Sequence, residues 1–328
     1  LNSETSVGIT KSMGLAMIGF ADTLDELQPD LLLVLGDRFE TFAAASAALI
    51  SRIPIAHCHG GELTEGAFDD ALRHSITKMA HLHFVATTEY RQRVIQMGES
   101  PDRVLLVGGL GVDAIKRIKL LSREELEASL DFKLGPRNLL ITFHPVTLEQ
   151  NTSALQMGEL LDALDELEDT HLIFTMPNAD TDGRVLVGMI EDFCAARSHA
   201  KAFSSLGQLR YFSCIEHSDG VIGNSSSGLL EVPVFKKGTV NIGDRQKGRI
   251  RPLSVIDCPP LAADILAAIK KLWDPDYLKL VAHSSHPFGD GNASDLILAS
   301  CKSFWDHQKN YSGSKSFCDY EIDRLRHM

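Results

Sequence analysis

No run of apolar residues in this chain approaches the ~20 needed to cross a bilayer as a helix, and no signal peptide is visible at its N-terminus. Its six cysteines (Cys58, Cys194, Cys214, Cys258, Cys301, Cys318) are scattered and form no CxxC pair. That pattern argues against a disulfide frame or a zinc cage and for a reduced, cytoplasmic protein. Positive charge is in deficit: 32 Lys and Arg against 44 Asp and Glu leave a formal net charge of -12. Such a chain repels phosphate backbones at long range, so neither nucleic acid nor a membrane is expected as a partner. A small phosphorylated ligand held by a few local groups is compatible with it. There is no short-period repeat, no low-complexity tract, no GxSxG elbow and no Walker sequence. His57 and His59, two apart on a strand, would point to opposite faces, so shared metal ligation by them is not expected and His57 reads as a buried residue.

What is present is an alternation. A helical period through Met13, Met17, Phe20 and Leu24 ends at Pro29. "DLLLVLGD" (30–37) then reads as a buried parallel strand with a loop at its carboxyl end. A helix over 38–51, a strand in 53–61, a helix over 69–80, a strand over 82–87, a helix over 88–97 and a strand over 104–109 follow. After "KLGPRN" (133–138) the rhythm restarts: strand 139–145, helix 150–168, strand 170–178, helix 183–197, strands in 220–228 and 238–244, and closing helices over 261–273 and 292–308. The expected fold class is therefore α/β with parallel sheets, in two Rossmann-like domains, 1–134 and 135–328, facing a cleft. The tail from Tyr311 is polar and expected to be loose.

The chemistry-bearing residues follow strands, where such sheets bind ligands. Asp37 ends the first; His57, His59 and Glu62 follow the next; His144 and Ser225–Ser227 follow later ones. Any one of these alone reads as a cap or turn former; their recurrence at five strand ends points to a site. Gly60-Gly61 allows a sharp turn and close approach to a ligand. On the helix from Asp69 the apolar stripe is Leu72, Ile76 and Met79. Asp69 and Arg73 fall one turn apart on its border, with Arg73 expected to steady Asp69. Asp70 and His74 are expected to face solvent. Asp37, Glu62 and Asp69 would then form a carboxylate cluster, and crowding raises at least one pKa in such a cluster, which suits acid–base work. "GNSSSG" (223–228) offers hydroxyls and amides at an expected helix N-terminus, a diphosphate site. "GDRQKGRIR" (243–251) is a basic loop for the same ligand, or simply a solvated one.

Together "LGDRFE", "HCHGGE", "FDDALRHSITKMAHLHF", "FHPVT", "IGNSSSGLLEVP" and "NIGDRQKGR" resemble the hydrolysing UDP-N-acetylglucosamine 2-epimerases of sialic-acid synthesis, over nearly the whole chain. The resemblance implies the two-Rossmann-domain GT-B architecture. It implies loss of the C2 proton of UDP-N-acetylglucosamine, elimination of UDP to a 2-acetamidoglucal, and hydration to N-acetylmannosamine. Family acids fall on Asp37, Glu62 and Asp69, and the histidine that assists UDP departure on His144. The helix arginine falls on Arg73, the diphosphate serines on Ser225 and Ser226 and the ribose glutamate on Glu231, with Arg38 and Arg245 as further contacts. No cofactor and no catalytic metal are expected; the partner is the UDP-sugar. Many enzymes of this fold pair up, so a homo-oligomer is anticipated. Family members begin with a strand and a "GTRADYG"-like loop not found here, so about two βα units are expected before Leu1. The alternatives are the same reaction on UDP-2,4-diacetamido-2,4,6-trideoxyglucose, a non-hydrolysing epimerase, a GT-B glycosyltransferase needing an acceptor, or a UDP-sugar-binding module without turnover.

Overall fold

The computed structural model describes residues 6–63, 68–145, 152–177, 183–307 and 315–319. The chain forms two units, Leu1–Asp113 with Pro287–Met328, and Ala114–His286. This differs from a single division at 134/135, and packing gives the reason. Leu126 and Leu130 bury against Leu140, Ile173 and Ile215, so the segment before residue 135 belongs to the second core. Ala293, Ile297 and Phe304 bury with Leu82 and Phe84, so the last helix returns to the first.

In the first unit helices and strands alternate as α1 (Ser6–Leu27), β1 (Leu32–Leu35), α2 (Phe39–Ile50), β2 (Ile55–Cys58), α3 (Asp69–Met79), β3 (Leu82–Val85), α4 (Thr88–Gln96) and β4 (Val104–Leu106). The strands pair in parallel in chain order. Side chains alternate between faces along a strand. Ile55 therefore joins Leu24, Ala45, Ala48 and Ile76 on one side, while Ala56 and Cys58 join Phe84 and Val107 on the other. β1 is not buried on both faces as "DLLLVLGD" suggests. It lies at the sheet edge, with Val34 buried but Leu33 and Leu35 53% and 57% exposed.

α5 (Leu110–Arg117) spans the division between the units. The second unit continues with α6 (Arg123–Leu130), β5 (Arg137–Thr142), α7 (Ser153–Asp165), β6 (Thr170–Thr175), α8 (Gly183–Ala195), β7 (Ala200–Phe203), α9 (Gly207–His217), β8 (Gly220–Gly223), α10 (Ser227–Leu230), β9 (Gly238–Ile242), β10 (Val255–Cys258), α11 (Ala262–Lys271) and α12 (Pro275–His283). Its six parallel strands run β10-β9-β8-β5-β6-β7. β5 sits inside this sheet, covered on both faces. Leu139, Ile141 and Phe143 pack with Leu160, Leu186 and Ile265, and Leu140 packs with Leu126 and Phe212. At Gly223 β8 runs so close to β5 that a Cβ would meet the Thr142 carbonyl oxygen at 2.0 Å. β7 and β10, four residues each, add to the strands expected from sequence. α6 is announced by a full capping box, Ser122 with Glu125.

α13 (Ala293–His307) packs in the first unit, where the hydroxyl and amide of Ser294 both donate to the buried carboxylate of Asp113. The described part of the tail is held rather than loose. The Lys315 ammonium is 2.6 Å from Glu99 and donates to the carbonyls of Thr77 (3.2 Å) and Lys78 (2.8 Å), while the Cys318 amide donates to Gly98 (2.9 Å). Among the described residues no helix is long and apolar enough to cross a membrane.

Candidate functional site

The carboxyl edge of the first sheet gathers the acids. Gly36, with φ +79°, turns the chain out of β1, and its amide donates to the Cys58 carbonyl (3.1 Å), which holds Asp37 beside the end of β2. From α3 the Arg73 guanidinium reaches across to the Asp37 carboxylate and also lies 3.3 Å from Asp70. The Arg73 side chain is only 5% exposed. It therefore sits in the buried face of α3, with Ile76 and Thr77, rather than on the border of an apolar stripe. Asp70 does not simply face solvent: it is a partner of Arg73 and lies 3.4 Å from His74. The arginine expected to steady Asp69 does favour its charge, and it also bridges Asp37 and Asp70.

Asp69 starts α3 and is half-buried. Burial, and next the charge of Asp37, push its carboxyl above the usual range, while Arg38 and Arg73 pull the other way. A raised pKa of this kind moves a carboxyl toward use as both donor and acceptor. Asp69 lines a cavity of about 490 Å³ with Arg38, Phe39, Glu40, Phe68 and residues of α1. Arg38 is itself exposed and pairs with Glu40 at 3.3 Å.

Glu62 is placed with His59: their Oε1 and Nδ1 atoms are 2.7 Å apart. His59 has φ +65°, a left-handed conformation rare for a residue with a side chain. The glycines after it serve the turn as well as any ligand. A Cβ on Gly61 (φ +80°) would meet the Tyr90 carbonyl oxygen at 2.5 Å, and one on Gly60 the Thr77 hydroxyl at 3.1 Å. His57 is fully buried, as its strand position suggests.

In the second unit Asn224 organises the polar residues at the ends of β5 and β8. Its side chain accepts from the His144 amide (2.8 Å) and donates to the His144 carbonyl (2.9 Å). Its own carbonyl accepts from Arg245 (3.0 Å) and Gln246 (2.8 Å). His144 and Arg245 are thus brought to one residue. Ser225 and Ser226 precede α10, a single turn of four residues. The Tyr211 hydroxyl donates to Ser227 (2.8 Å), whose hydroxyl in turn favours the Glu231 carboxylate; burial outweighs this and raises the Glu231 pKa. The basic loop is partly committed to structure, because Arg251 pairs with Asp257 at 3.1 Å and donates to the Gln246 carbonyl.

Thr77, Asn224 and Tyr211 join these groups without having been singled out as site residues. The positive φ of His59 leaves no trace in sequence, whereas Asn224 lies inside the quoted "GNSSSG". Among the described residues no group of three or more His, Cys, Asp or Glu could hold a metal.

The chain matches the family described as "Epimerase_2: UDP-N-acetylglucosamine 2-epimerase" over residues 1–302. It is 42% identical over 278 residues to the "GDP/UDP-N,N'-diacetylbacillosamine 2-epimerase (hydrolyzing)" of Campylobacter jejuni, covering 84% of this chain and 72% of that protein. It is 40% identical over 294 residues to the "Polysialic acid biosynthesis protein P7" of Escherichia coli, covering 89% and 75%. In fold it is similar to the UDP-GlcNAc 2-epimerase of Neisseria meningitidis solved bound to UDP-GlcNAc, with a TM-score of 0.78 at 18% identity over 92% of this chain and 83% of that one. With its parallel sheets, its strand-end carboxylates and this match, the chain belongs to the UDP-N-acetylglucosamine 2-epimerase family.

Proposed function

We propose that this protein is a hydrolysing 2-epimerase of a UDP-linked 2-acetamido sugar. The observation that carries the reading is the carboxyl edge of the first sheet, where Asp37 is clamped by Arg73 next to Asp69, whose pKa is raised. The reaction needs groups that take and return protons at C2, and a carboxyl with a raised pKa suits both tasks. In the proposed sequence a base removes the C2 proton. The C–H electron pair becomes the C1=C2 double bond, and the C1–O bond to UDP breaks. A proton is then delivered to C2 from the opposite face while water adds at C1. The products are the free 2-epimeric sugar and UDP. Asp37, Glu62 and Asp69 are assigned to the sugar, with Arg73 as the clamp and Arg38 as a sugar-side contact. His144 is assigned to the departing diphosphate, Ser225, Ser226 and Arg245 to its oxygens, and Glu231 to the ribose.

The substrate favoured first is UDP-N,N'-diacetylbacillosamine, because relatives at 42% and 33% identity carry that name. UDP-N-acetylglucosamine is the second reading, supported by the family description and by the 40% identical polysialic-acid protein. The proposal extends to a homo-oligomer acting in the cytoplasm.

The test is to give each UDP-sugar to the protein in deuterated water and follow the products by NMR. Free 2-epimeric sugar carrying deuterium at C2, with UDP released and no acceptor present, is the expected result. UDP retained on the epimerised sugar would remove the hydrolysing step, and UDP release that waits for an acceptor would turn the reading to a glycosyltransferase.

A further inference from the structure

The turn after β2 carries a histidine that the assignments above leave unused. His59 follows β2 directly, and its amide donates to the Phe84 carbonyl at 2.9 Å. Its backbone is left-handed, φ +65°, where a β-carbon is crowded and only glycine, asparagine and aspartate sit readily. Strain of this kind persists where the surroundings over-determine it, and it collects at functional sites. Here the surroundings are rigid. Gly61 cannot accept a β-carbon against Tyr90, and its carbonyl accepts from the Arg93 guanidinium. The effect is to present the ring at the sheet's carboxyl edge, one strand over from Asp37, with a quarter of its side chain exposed.

The hydrogen bond of the ring fixes its chemistry. Nδ1 lies 2.7 Å from Glu62 Oε1. An ionised carboxylate only accepts, so Nδ1 carries the proton, and in the neutral ring Nε2 is left with the lone pair. A histidine oriented by a carboxylate in this way is a base whose conjugate acid the carboxylate stabilises.

Hydrolytic epimerisation involves three proton transfers, two onto the protein and one from it. The C2 proton must be taken by one group, another must deliver a proton to the opposite face, and a third must take the proton that water loses as its oxygen bonds to C1. Asp37 is occupied by the Arg73 guanidinium. We propose that His59, oriented by Glu62, is the general base that activates the water in the hydration step. In that step Nε2 takes one proton from water, the water oxygen forms its bond to C1, and the C1=C2 electron pair takes a proton at C2 from a carboxylic acid. Glu62 thereby serves the sugar through His59.

This rests on the function proposed above, and the test separates the two. His59→Asn keeps the left-handed backbone and a donor toward Glu62 but removes Nε2; His59→Gly removes the ring and relieves the backbone. Both variants are expected to fold with thermal midpoints at or above that of the wild type. With the UDP-sugar, each is expected to release UDP and to accumulate the 2-acetamidoglycal. When the glycal is supplied directly, its hydration is expected to fall by about 100-fold or more, the size of a general-base contribution. Hydration at the wild-type rate in His59→Asn would overturn the proposal while leaving the epimerase reading in place, whereas failure of the wild type to release UDP would strike that reading. A readout independent of turnover is the ¹⁵N spectrum of the histidines. The proton of neutral His59 is expected on Nδ1, and its appearance on Nε2 would overturn the proposal whatever the substrate.

Discussion

Nε2 of His57 stands 2.8 Å from the carbonyl oxygen of Gly36, tying a fully buried ring on β2 to the residue before Asp37. The carbonyl can only accept, so Nε2 carries the proton and Nδ1 faces the Thr77 hydroxyl at 3.2 Å. Burial pushes the pKa of this ring from 6.5 down to about 3, with the Gly36 carbonyl opposing it. The unfolded chain therefore binds more protons between those values, and the stability held by neutral His57 is lost as pH falls from about 6.5 toward 3. His81, lowered to about 4 by burial, acts in the same direction. His57→Gln keeps an amide donor for Gly36 but does not titrate. Its thermal midpoint is expected to fall less steeply than that of the wild type between pH 6.5 and 4, as measured by calorimetry. Parallel slopes would show that His57 does not stay neutral.

Asp69→Asn separates stability from chemistry. The folded state raises this carboxyl's pKa, so the ionised form at neutral pH costs stability, and removing the charge is expected to leave the thermal midpoint at pH 7 equal or higher. Turnover is expected to fall by about 100-fold or more, as for loss of an acid–base group. A variant that is both fully active and more stable would remove Asp69 from the reaction.

Arg73→Ala leaves two carboxylates, Asp37 and Asp70, without the buried guanidinium between them. Losing one side of a buried ion pair costs about 3–5 kcal/mol. The first unit is expected to melt well below the second in a calorimetric scan, with turnover lost. Arg73→Lys restores the charge but not the two-armed geometry, and is expected to recover stability more than activity.

Glu99 is a buried carboxylate among Lys78 (2.6 Å), Lys315 (2.6 Å) and His83 (2.9 Å). These partners outweigh its burial and hold its pKa down at about 2. Its contribution is therefore present above about pH 4.5 and lost as pH falls toward 2. Glu99→Gln is expected to release residues 315–319, and hydrogen exchange at the Cys318 amide, which donates to Gly98, reads this directly. Protection unchanged in the variant would show that the tail is held by other contacts.

Much of the site's outline was legible in local sequence. Asp37, His59, Glu62 and His144 could be placed because each follows an apolar run that ends in a strand, and α3 begins at Asp69 as its period suggests. Partnerships were less legible. Helical spacing put Arg73 one turn from Asp69, whose charge it does favour, but not beside Asp37, 36 residues away, which the guanidinium joins because α3 turns that face toward the end of β1. The diphosphate loop leads into the start of a helix as expected, but its length was not legible: α10 stops after four residues, where Pro233 and a 3₁₀ turn follow.

By itself the sequence determined the alternation of strands and helices, the parallel sheets and the polar residues at strand ends, because each rests on a period or a turn within a few residues. Only the tertiary structure decided that α13 packs with the first unit, that Lys315 caps the carbonyls of α3 and pairs with Glu99, and that His59 is held left-handed against Glu62. These depend on which faces of distant elements bury together. That outcome follows from the packing of whole side chains in one compact unit, which no local window contains.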